Sequence, residues 1–117
     1  MKVGVLGAGC GVVHVGEFSK HPQVEEVTVY SRKQESLTPI LKEHNVKGTT
    51  NMEDILLAPS IGVISIALPP QMHAEVAIKA MENDKDVICE IPVCPTLEDA
   101  RRMQDVSART GKCVLVN

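Results

Sequence analysis

Short apolar runs rich in β-branched residues alternate along the chain with longer segments of mixed polarity. Residues 61–68 are almost entirely apolar, which is typical of a strand that is covered on both faces. Short runs of this kind, bounded by turn residues, predict strands. The predicted strands comprise residues 2–6, 24–30, 61–68, 86–89 and 113–116, with a short edge strand over 46–50.

Helical patterns occupy the intervals between these strands. Thr38 followed by Pro39 predicts a helix start, because threonine caps helices and proline suits the first helical position. Thr96 and Asp99 have the spacing of a capping box, and Gly111 suits the end of the last helix. The other predicted helices comprise residues 12–20, 53–58 and 71–83, the last with Asn83 or Asp84 as its left-handed end.

Strands and helices that alternate at this rhythm predict βαβ units with right-handed crossovers. We therefore expect an α/β fold, a doubly wound parallel sheet of the Rossmann type flanked by helices. The length of 117 residues predicts a single domain over residues 1–117. Hydrophobic residues make up 44% of the chain, and with one Tyr, one Phe and no Trp the core must be aliphatic.

Composition and charge exclude several classes of partner. The net charge is −3 without a basic cluster, which disfavours a nucleic acid, and no apolar run approaches the roughly 18 residues of a membrane span. Because the chain enters a strand without a charged leader, we expect a cytoplasmic protein. The cysteines show no zinc-ligand spacing, so no metal site is expected. Cys89 and Cys113 lie in apolar segments and are expected to pack as small hydrophobes.

A glycine-rich loop, GAGCGV at residues 7–12, directly follows the first predicted strand. At a strand-to-helix junction, such a loop lets backbone N–H groups and a helix N-terminus approach a pyrophosphate. Gly7 would permit the tight turn and Gly9 would leave room for the phosphates. Gly11 stands one residue earlier than the usual third glycine, where Val12 lies instead. The loop predicts dinucleotide binding by Gly7, Gly9, Cys10, Gly11 and Val12, with a purely structural turn as the alternative.

The end of the second strand favours NADP over NAD. An NAD site usually places Asp or Glu here to accept hydrogen bonds from the ribose, but this chain has Tyr30, Ser31, Arg32 and Lys33. Ser31 can donate to a 2′-phosphate, and the guanidinium of Arg32 can bind it in a bidentate, charge-assisted manner. A solvated basic turn is the alternative interpretation.

Several longer segments carry a family resemblance that covers essentially the whole chain. They are GAGCGVVH, HPQVEEV, NMEDILLAPSIGVISIALPPQMHAEVAIKAM and DVICEIPVCPTLEDARRM, and the PPQMH segment after a buried strand is especially specific. The chain thereby resembles the N-terminal NAD(P)-binding domain of the Gfo/Idh/MocA oxidoreductases, the glucose–fructose oxidoreductase and inositol dehydrogenase family. The resemblance implies hydride transfer between a nicotinamide cofactor and a sugar-like or carbonyl substrate.

The resemblance also implies where the nicotinamide end of the cofactor would lie. Leu68, Pro70 and His73 would border the nicotinamide ribose, and Glu90 and Pro92 would lie near the reactive face. The family has a catalytic lysine between the glutamate and the proline, where this chain has Ile91. Isoleucine cannot donate a proton or bind a substrate hydroxyl. The catalytic residues therefore stay open, with Glu90 and His73 as candidates.

The histidines divide into one candidate and three ordinary residues. His73 would either contact the cofactor or substrate or serve as a polar helix N-terminus. His14, in the first helix, is expected to be a packing or surface residue, and His21 and His44 are expected to be polar residues at helix ends.

Two functions from different classes follow. The first is the NADP(H)-binding domain of a Gfo/Idh/MocA-like oxidoreductase with a small carbonyl or sugar substrate. The second is a non-catalytic dinucleotide-binding or interaction module that could form a homodimer. Ile91, in place of the family's lysine, favours the second function. The chain ends with the sixth predicted strand, so we expect the family's second domain to be absent, which favours the same function. Binding of coenzyme A or another phosphate ligand is a third, weaker alternative.

Overall fold

A six-stranded parallel sheet forms the centre of the protein, and the computed structural model describes residues 1–117. The strands are β1 (Lys2–Leu6), β2 (Glu26–Tyr30), β3 (Lys47–Thr49), β4 (Ile61–Ile66), β5 (Asp86–Cys89) and β6 (Val114–Val116). The helices are α1 (Gly11–Lys20), α2 (Gln34–Glu43), α3 (Glu53–Leu56), α4 (His73–Glu82) and α5 (Leu97–Thr110), with a 3₁₀ turn at Pro70–Met72 before α4. The predicted doubly wound α/β fold is confirmed.

The strand order β3-β2-β1-β4-β5-β6 reverses direction at the centre of the sheet. β1 pairs in parallel with both β2 and β4, so the chain winds outward from β1 one way and from β4 the other way. In such sheets, ligands bind at the carboxyl ends of the strands beside this switch point. The loop after β1 lies there, which makes it the first place to look for a site.

Two aliphatic clusters cover the faces of the sheet. The smaller one joins β1 and β2 to α1 and α2, and it consists of Val3, Val5, Val15, Val27, Val29, Leu37 and Ile40. The larger one joins β4 and β5 to α3, α4 and α5, with Ile64, Ile66 and Val87 among its fully buried members. Burial of this apolar area is the main force that holds the helices on the sheet.

Several predicted boundaries shift by one or two residues. β2 begins at Glu26 because the N–H of Val24 closes a turn onto His21, and β4 ends at Ile66. The edge strand contracts to Lys47–Thr49, α3 ends at Leu56 and β6 begins at Val114. These changes leave the order of elements intact.

The predicted start of α2 is wrong. The helix begins at Gln34, with Lys33 as its N-cap, and Pro39 lies inside it. By itself, proline is favoured at the start of a helix and disfavoured inside it. Leu37 and Ile40 are buried against the sheet, and this packing stabilises the helix on both sides of Pro39. Thr38 lies mid-helix, where its hydroxyl donates to the Gln34 carbonyl instead of capping an N–H group.

The predicted ends of α5 are confirmed. Thr96 Oγ1 accepts a hydrogen bond from the Asp99 N–H at 3.1 Å, and Gly111 ends α5 with φ = 75°. Between the two candidates after α4, Asp84 adopts the left-handed conformation, with φ = 64°. Buried Lys85, which the sequence did not mark, donates to the carbonyls of Ala58 and Ile61, and burial lowers its pKa.

The cysteines differ in burial. Cys89 is buried as predicted, and burial raises the pKa of its thiol to about 11. Cys113 is exposed, so the prediction that it packs in the core was wrong; it precedes β6 at the sheet margin. No cluster of His, Cys, Asp and Glu could hold a metal ion. None of the helices combines the length and apolarity needed to cross a bilayer.

Replacing Thr96 by alanine should lower the free energy of unfolding by about 1 kcal/mol, because α5 loses its N-cap. Thr38→Ala is the matched control and should change it by no more than about 0.5 kcal/mol, since alanine suits a helix interior. Urea denaturation of both variants measures the difference. Equal losses would contradict the start of α2 described above.

Candidate functional site

Gly7 makes the tight turn that ends β1. Its φ is +111°, and its N–H donates to the Tyr30 carbonyl at 3.0 Å, which ties the loop to β2. A Cβ at this position would overlap the carbonyl oxygen of Ala67, which follows β4. Both the backbone conformation and the close approach therefore require glycine, as predicted for the first glycine of the loop.

The next two glycines have different surroundings. A Cβ on Gly9 would meet no protein atom within 4 Å, so nothing in the protein itself requires glycine there. A Cβ on Gly11 would lie 3.1 Å from Val5 Cγ1, because α1 begins at Gly11 and packs closely on β1. Gly11 thus serves as the close-packing third glycine, and the loop is simply one residue shorter than the usual pattern.

Unpaired amides surround Gly9. The N–H groups of Ala8, Gly9, Cys10 and Gly11 donate to no protein acceptor, and Cys10 caps α1 without a side-chain hydrogen bond. The first turn of α1 contains no acidic residue. Free N–H groups at the positive end of a helix dipole form a site for an anion such as a phosphate. The loop residues predicted from the sequence are therefore brought together in a geometry that suits this chemistry.

The segment after β2 lies beside this loop. Ser31 is buried, and its N–H donates to the Thr49 carbonyl at 3.1 Å. Arg32 and Lys33 are exposed and form no ion pair with the protein. Two free cationic side chains next to a set of free amides extend the positively polarised surface along the carboxyl edge of the sheet.

His73 lies under the far end of this edge, at the first residue of α4. The ring is 1% exposed. Its Nε2 lies 2.6 Å from the Leu68 carbonyl oxygen, and its Nδ1 lies 2.9 Å from the Pro92 carbonyl oxygen. Because the ring is buried and both nitrogens face these backbone carbonyls, His73 packs between the loop after β4 and the loop after β5 and has no nitrogen left for a ligand.

The loop after β5 exposes two apolar residues and fixes one carboxylate. Ile91 and Pro92 are exposed, whereas the Glu90 side chain is 27% exposed. Glu90 Oε1 accepts hydrogen bonds from Asn117 Nδ2 at 2.5 Å and from His14 Nε2 at 2.6 Å. The hydrogen bond from Asn117 lowers the pKa of Glu90 against an opposing effect of burial, and His14 acts in the same direction as Asn117. Glu90 is therefore held as a carboxylate.

His14 is not the packing or surface residue that the sequence predicted. Its ring lies between α1 and the sheet, with Nδ1 2.5 Å from Ser65 Oγ and Nε2 on Glu90. Sequence analysis also missed Ser65 and Asn117. One signal was available for His14: it follows buried Gly11 by three residues, so helical periodicity puts it on the inner face of α1. Nothing local marks Ser65 or Asn117.

An open cleft of about 510 Å³ lies between α1 and the carboxyl ends of β4, β5 and β6. Its polar side chains are the linked group just described and Glu17, and Val13, Phe18 and Ile88 form the apolar part of its wall. The lining residues are Cys10, Val13, His14, Glu17, Phe18, Ser65, Ile88, Glu90 and Asn117. Along the carboxyl edge of the sheet, the free cations after β2 come first, then the loop with free amides after β1, and then the partly exposed Glu90 carboxylate after β5.

Comparison with known proteins shows the family of this chain. The model of the Gfo/Idh/MocA proteins, described as an oxidoreductase family with an NAD-binding Rossmann fold, matches residues 1–117. An NAD-binding protein from Listeria innocua, of known structure, superposes with a TM-score of 0.89 at 30% identity, over 99% of this chain and 34% of that chain.

Two curated relatives are dehydrogenases. The chain is 30% identical to the 4-carboxy-2-hydroxymuconate-6-semialdehyde dehydrogenase of Sphingobium, over 99% of this chain and 38% of the relative. It is 34% identical to the glucose-6-phosphate 3-dehydrogenase of Bacillus subtilis, over 92% of this chain and 31% of the relative. The chain thus spans about a third of the length of these relatives. Fold, site geometry and comparisons agree that the chain belongs to the Gfo/Idh/MocA oxidoreductase family and forms its NAD(P)-binding Rossmann domain.

Proposed function

We propose that this domain binds NADP(H) in preference to NAD(H), as the cofactor half of an oxidoreductase that acts on a small carbonyl or sugar-like substrate. The observation that carries the proposal is the set of four unpaired N–H groups around Gly9, whose side-chain space is empty. A glycine that the fold itself does not require is explained by a ligand that approaches the main chain. A diphosphate has the charge and the acceptors that these amides lack.

The order of the strands supports one orientation of the dinucleotide along the carboxyl edge of the sheet. With the diphosphate on the loop after β1, one half of the cofactor extends over β2 and the other over β4 and β5. The adenosine half belongs on the β2 side, where Ser31 and Arg32 follow the strand. Gly7, Gly9, Cys10, Gly11 and Val12 would then hold the diphosphate, mainly through the backbone.

Arg32 supports a preference for the 2′-phosphate. Its guanidinium is exposed, has no carboxylate partner and directly follows the buried Ser31. A phosphate would give it a bidentate, charge-assisted partner, whereas the ribose hydroxyls of NAD would find no carboxylate acceptor at this strand end. Lys33 would add positive charge without a defined geometry.

The nicotinamide half would extend over the loops after β4 and β5. Leu68 and Pro70 would border its ribose through backbone and apolar contacts, while Glu90 and Pro92 would lie toward the reactive face. The bound cofactor would supply the hydride chemistry. Because His73 has both nitrogens engaged, it would support these loops from below, and Glu90 is the remaining candidate for contact with a reacting group.

A non-catalytic binding module remains the second candidate, and Ile91 is the observation that favours it. An exposed isoleucine stands where a proton donor would be useful, and hydride transfer also needs a second reactant held against the nicotinamide. Mixing the protein and NADPH with candidate carbonyl compounds distinguishes the two, since only the enzyme would oxidise the cofactor. The expected cytoplasmic location and the possible homodimer stay predictions.

Two glycine variants test the cofactor site. Gly9→Ala should leave the free energy of unfolding within about 0.5 kcal/mol of the wild type but weaken NADPH binding at least about tenfold, because its methyl group would lie where the diphosphate approaches. Gly7→Ala should cost about 3 kcal/mol of stability or more, from strain at positive φ and overlap with Ala67. Urea denaturation and calorimetric titration measure both effects.

The outcomes distinguish an effect on cofactor binding from an effect on the stability of the fold. Unchanged NADPH affinity in folded Gly9→Ala would contradict the placement of the diphosphate, and no binding of NADPH or NADH by the wild type would refute the proposed function. Normal stability of Gly7→Ala would contradict only the account of the turn.

Arg32→Ala should weaken NADPH binding by about 1.5–3 kcal/mol, the range for a hydrogen bond to a charged group, and leave NADH binding nearly unchanged. Arg101→Ala, which removes another exposed arginine on α5 far from β2, is the matched control and should affect neither cofactor. Calorimetric titration of both variants with both cofactors provides the measurement. Equal losses for NADPH and NADH, or tighter wild-type binding of NADH, would show that Arg32 does not select the 2′-phosphate.

A further inference from the structure

The carboxylate of Glu90 is held through only one of its two oxygens. Both of its hydrogen bonds, from His14 and from Asn117, end on Oε1. Oε2 accepts no hydrogen bond from the protein, and the side chain is one of those that line the cleft beside α1. A partly exposed, ionised carboxylate with one free oxygen is an acceptor prepared for a hydroxyl or amide of a ligand.

His14 is in turn fixed from behind. Its Nδ1 contacts Ser65 Oγ at 2.5 Å, and its side chain is only 11% exposed. Ser65 is fully buried in the middle of the sheet, paired with Val5 of β1 on one side and Ile88 of β5 on the other. The ring therefore cannot turn away from Glu90 without also giving up its contact with a rigid strand.

We propose that His14 is a positioning residue that fixes Glu90 so that Oε2 accepts a hydrogen bond from the nicotinamide half of the bound cofactor, through its carboxamide or a ribose hydroxyl. The identity of the ligand rests on the proposed function. The Ser65–His14–Glu90 linkage rests on the geometry alone.

The place of His14 on α1 gives this role a further consequence. The free amides that would hold the diphosphate lie at the start of α1, and His14 follows one turn later on the same helix. One rigid element thus carries both the diphosphate site and the residue that orients Glu90 on the loop after β5. The two ends of the dinucleotide would be aligned by a single helix and the strand on which it packs.

The ionisation of Glu90 reports on this linkage. Its pKa is lowered by the hydrogen bond from Asn117 and, in the same direction, by the hydrogen bond and charge of His14 and by the charge of His73. These groups come from the end of β6, from α1 and from α4. Removal of His14 should therefore raise the pKa of Glu90 toward its ordinary value of 4.5, while Asn117 and His73 keep part of the shift.

The first experiment follows the carboxyl carbon of Glu90 by NMR as the pH is varied, with Glu90→Gln to assign the signal. The pKa of Glu90 should rise in His14→Leu, rise less in His14→Gln, which retains an N–H donor, and stay unchanged in His21→Leu. His21 is an exposed histidine at the end of the same helix and serves as the matched control. An unchanged titration in folded His14→Leu, or in His14→Gln should the leucine variant fail to fold, overturns the proposal.

The second experiment compares NADPH with 2′-phospho-ADP-ribose, which lacks the nicotinamide. His14→Leu should bind NADPH about tenfold more weakly, as expected for one hydrogen bond to a charged group, while its affinity for 2′-phospho-ADP-ribose stays within about twofold of the wild type. Equal losses for both ligands would overturn the role of His14 at the nicotinamide half. Failure of the wild type to bind either ligand would refute the proposed function, and the Glu90 titration would still decide the linkage.

Discussion

Close contact between two backbones at the centre of the sheet is the constraint on which the site depends. Gly7, at the end of β1, lies so near the carbonyl of Ala67, after β4, that no side chain fits between them. This contact occurs where the sheet changes its winding direction, and it turns the chain abruptly into α1. The next four amides after this turn have no acceptor within the protein. Free N–H groups at a helix N-terminus suit the binding of a phosphate.

The opposite end of the site depends on side chains from distant parts of the chain. His73 joins the loops after β4 and β5 through two backbone carbonyls, and His14 ties Glu90 to the buried Ser65. These polar contacts lie in or beside the hydrophobic interior, where an unpaired polar group is costly. Each therefore strongly favours one arrangement of the loops. The end proposed for the diphosphate is thus built from main chain, and the end proposed for the nicotinamide from side-chain linkages.

Local chemistry explains which parts of the site could be predicted. Gly7, Gly9 and Gly11 act through their own backbone, and Ser31 and Arg32 directly follow a strand, so sequence neighbours suffice to interpret them. His14, Ser65 and Asn117 are separated by about 50 residues at each step, and only the sheet brings them to Glu90. His73 was marked by the sequence with two roles left open, and the structure buries its ring at the start of α4 with both nitrogens facing backbone carbonyls. Pro39 shows the same limit for the fold, since packing of Leu37 and Ile40 overrides a local start signal.

The sequence by itself determined the order of strands and helices, the doubly wound parallel fold, the glycine loop and the cationic end of β2. These properties depend on residues within a few positions of one another, and periodicity, turn chemistry and capping act over that range. Only the tertiary structure decided which histidine supports a loop, which holds a carboxylate, and which oxygen of Glu90 is left free. Such roles depend on the distance and orientation of groups far apart in the chain, and the packing of α1 and α4 on the sheet sets both.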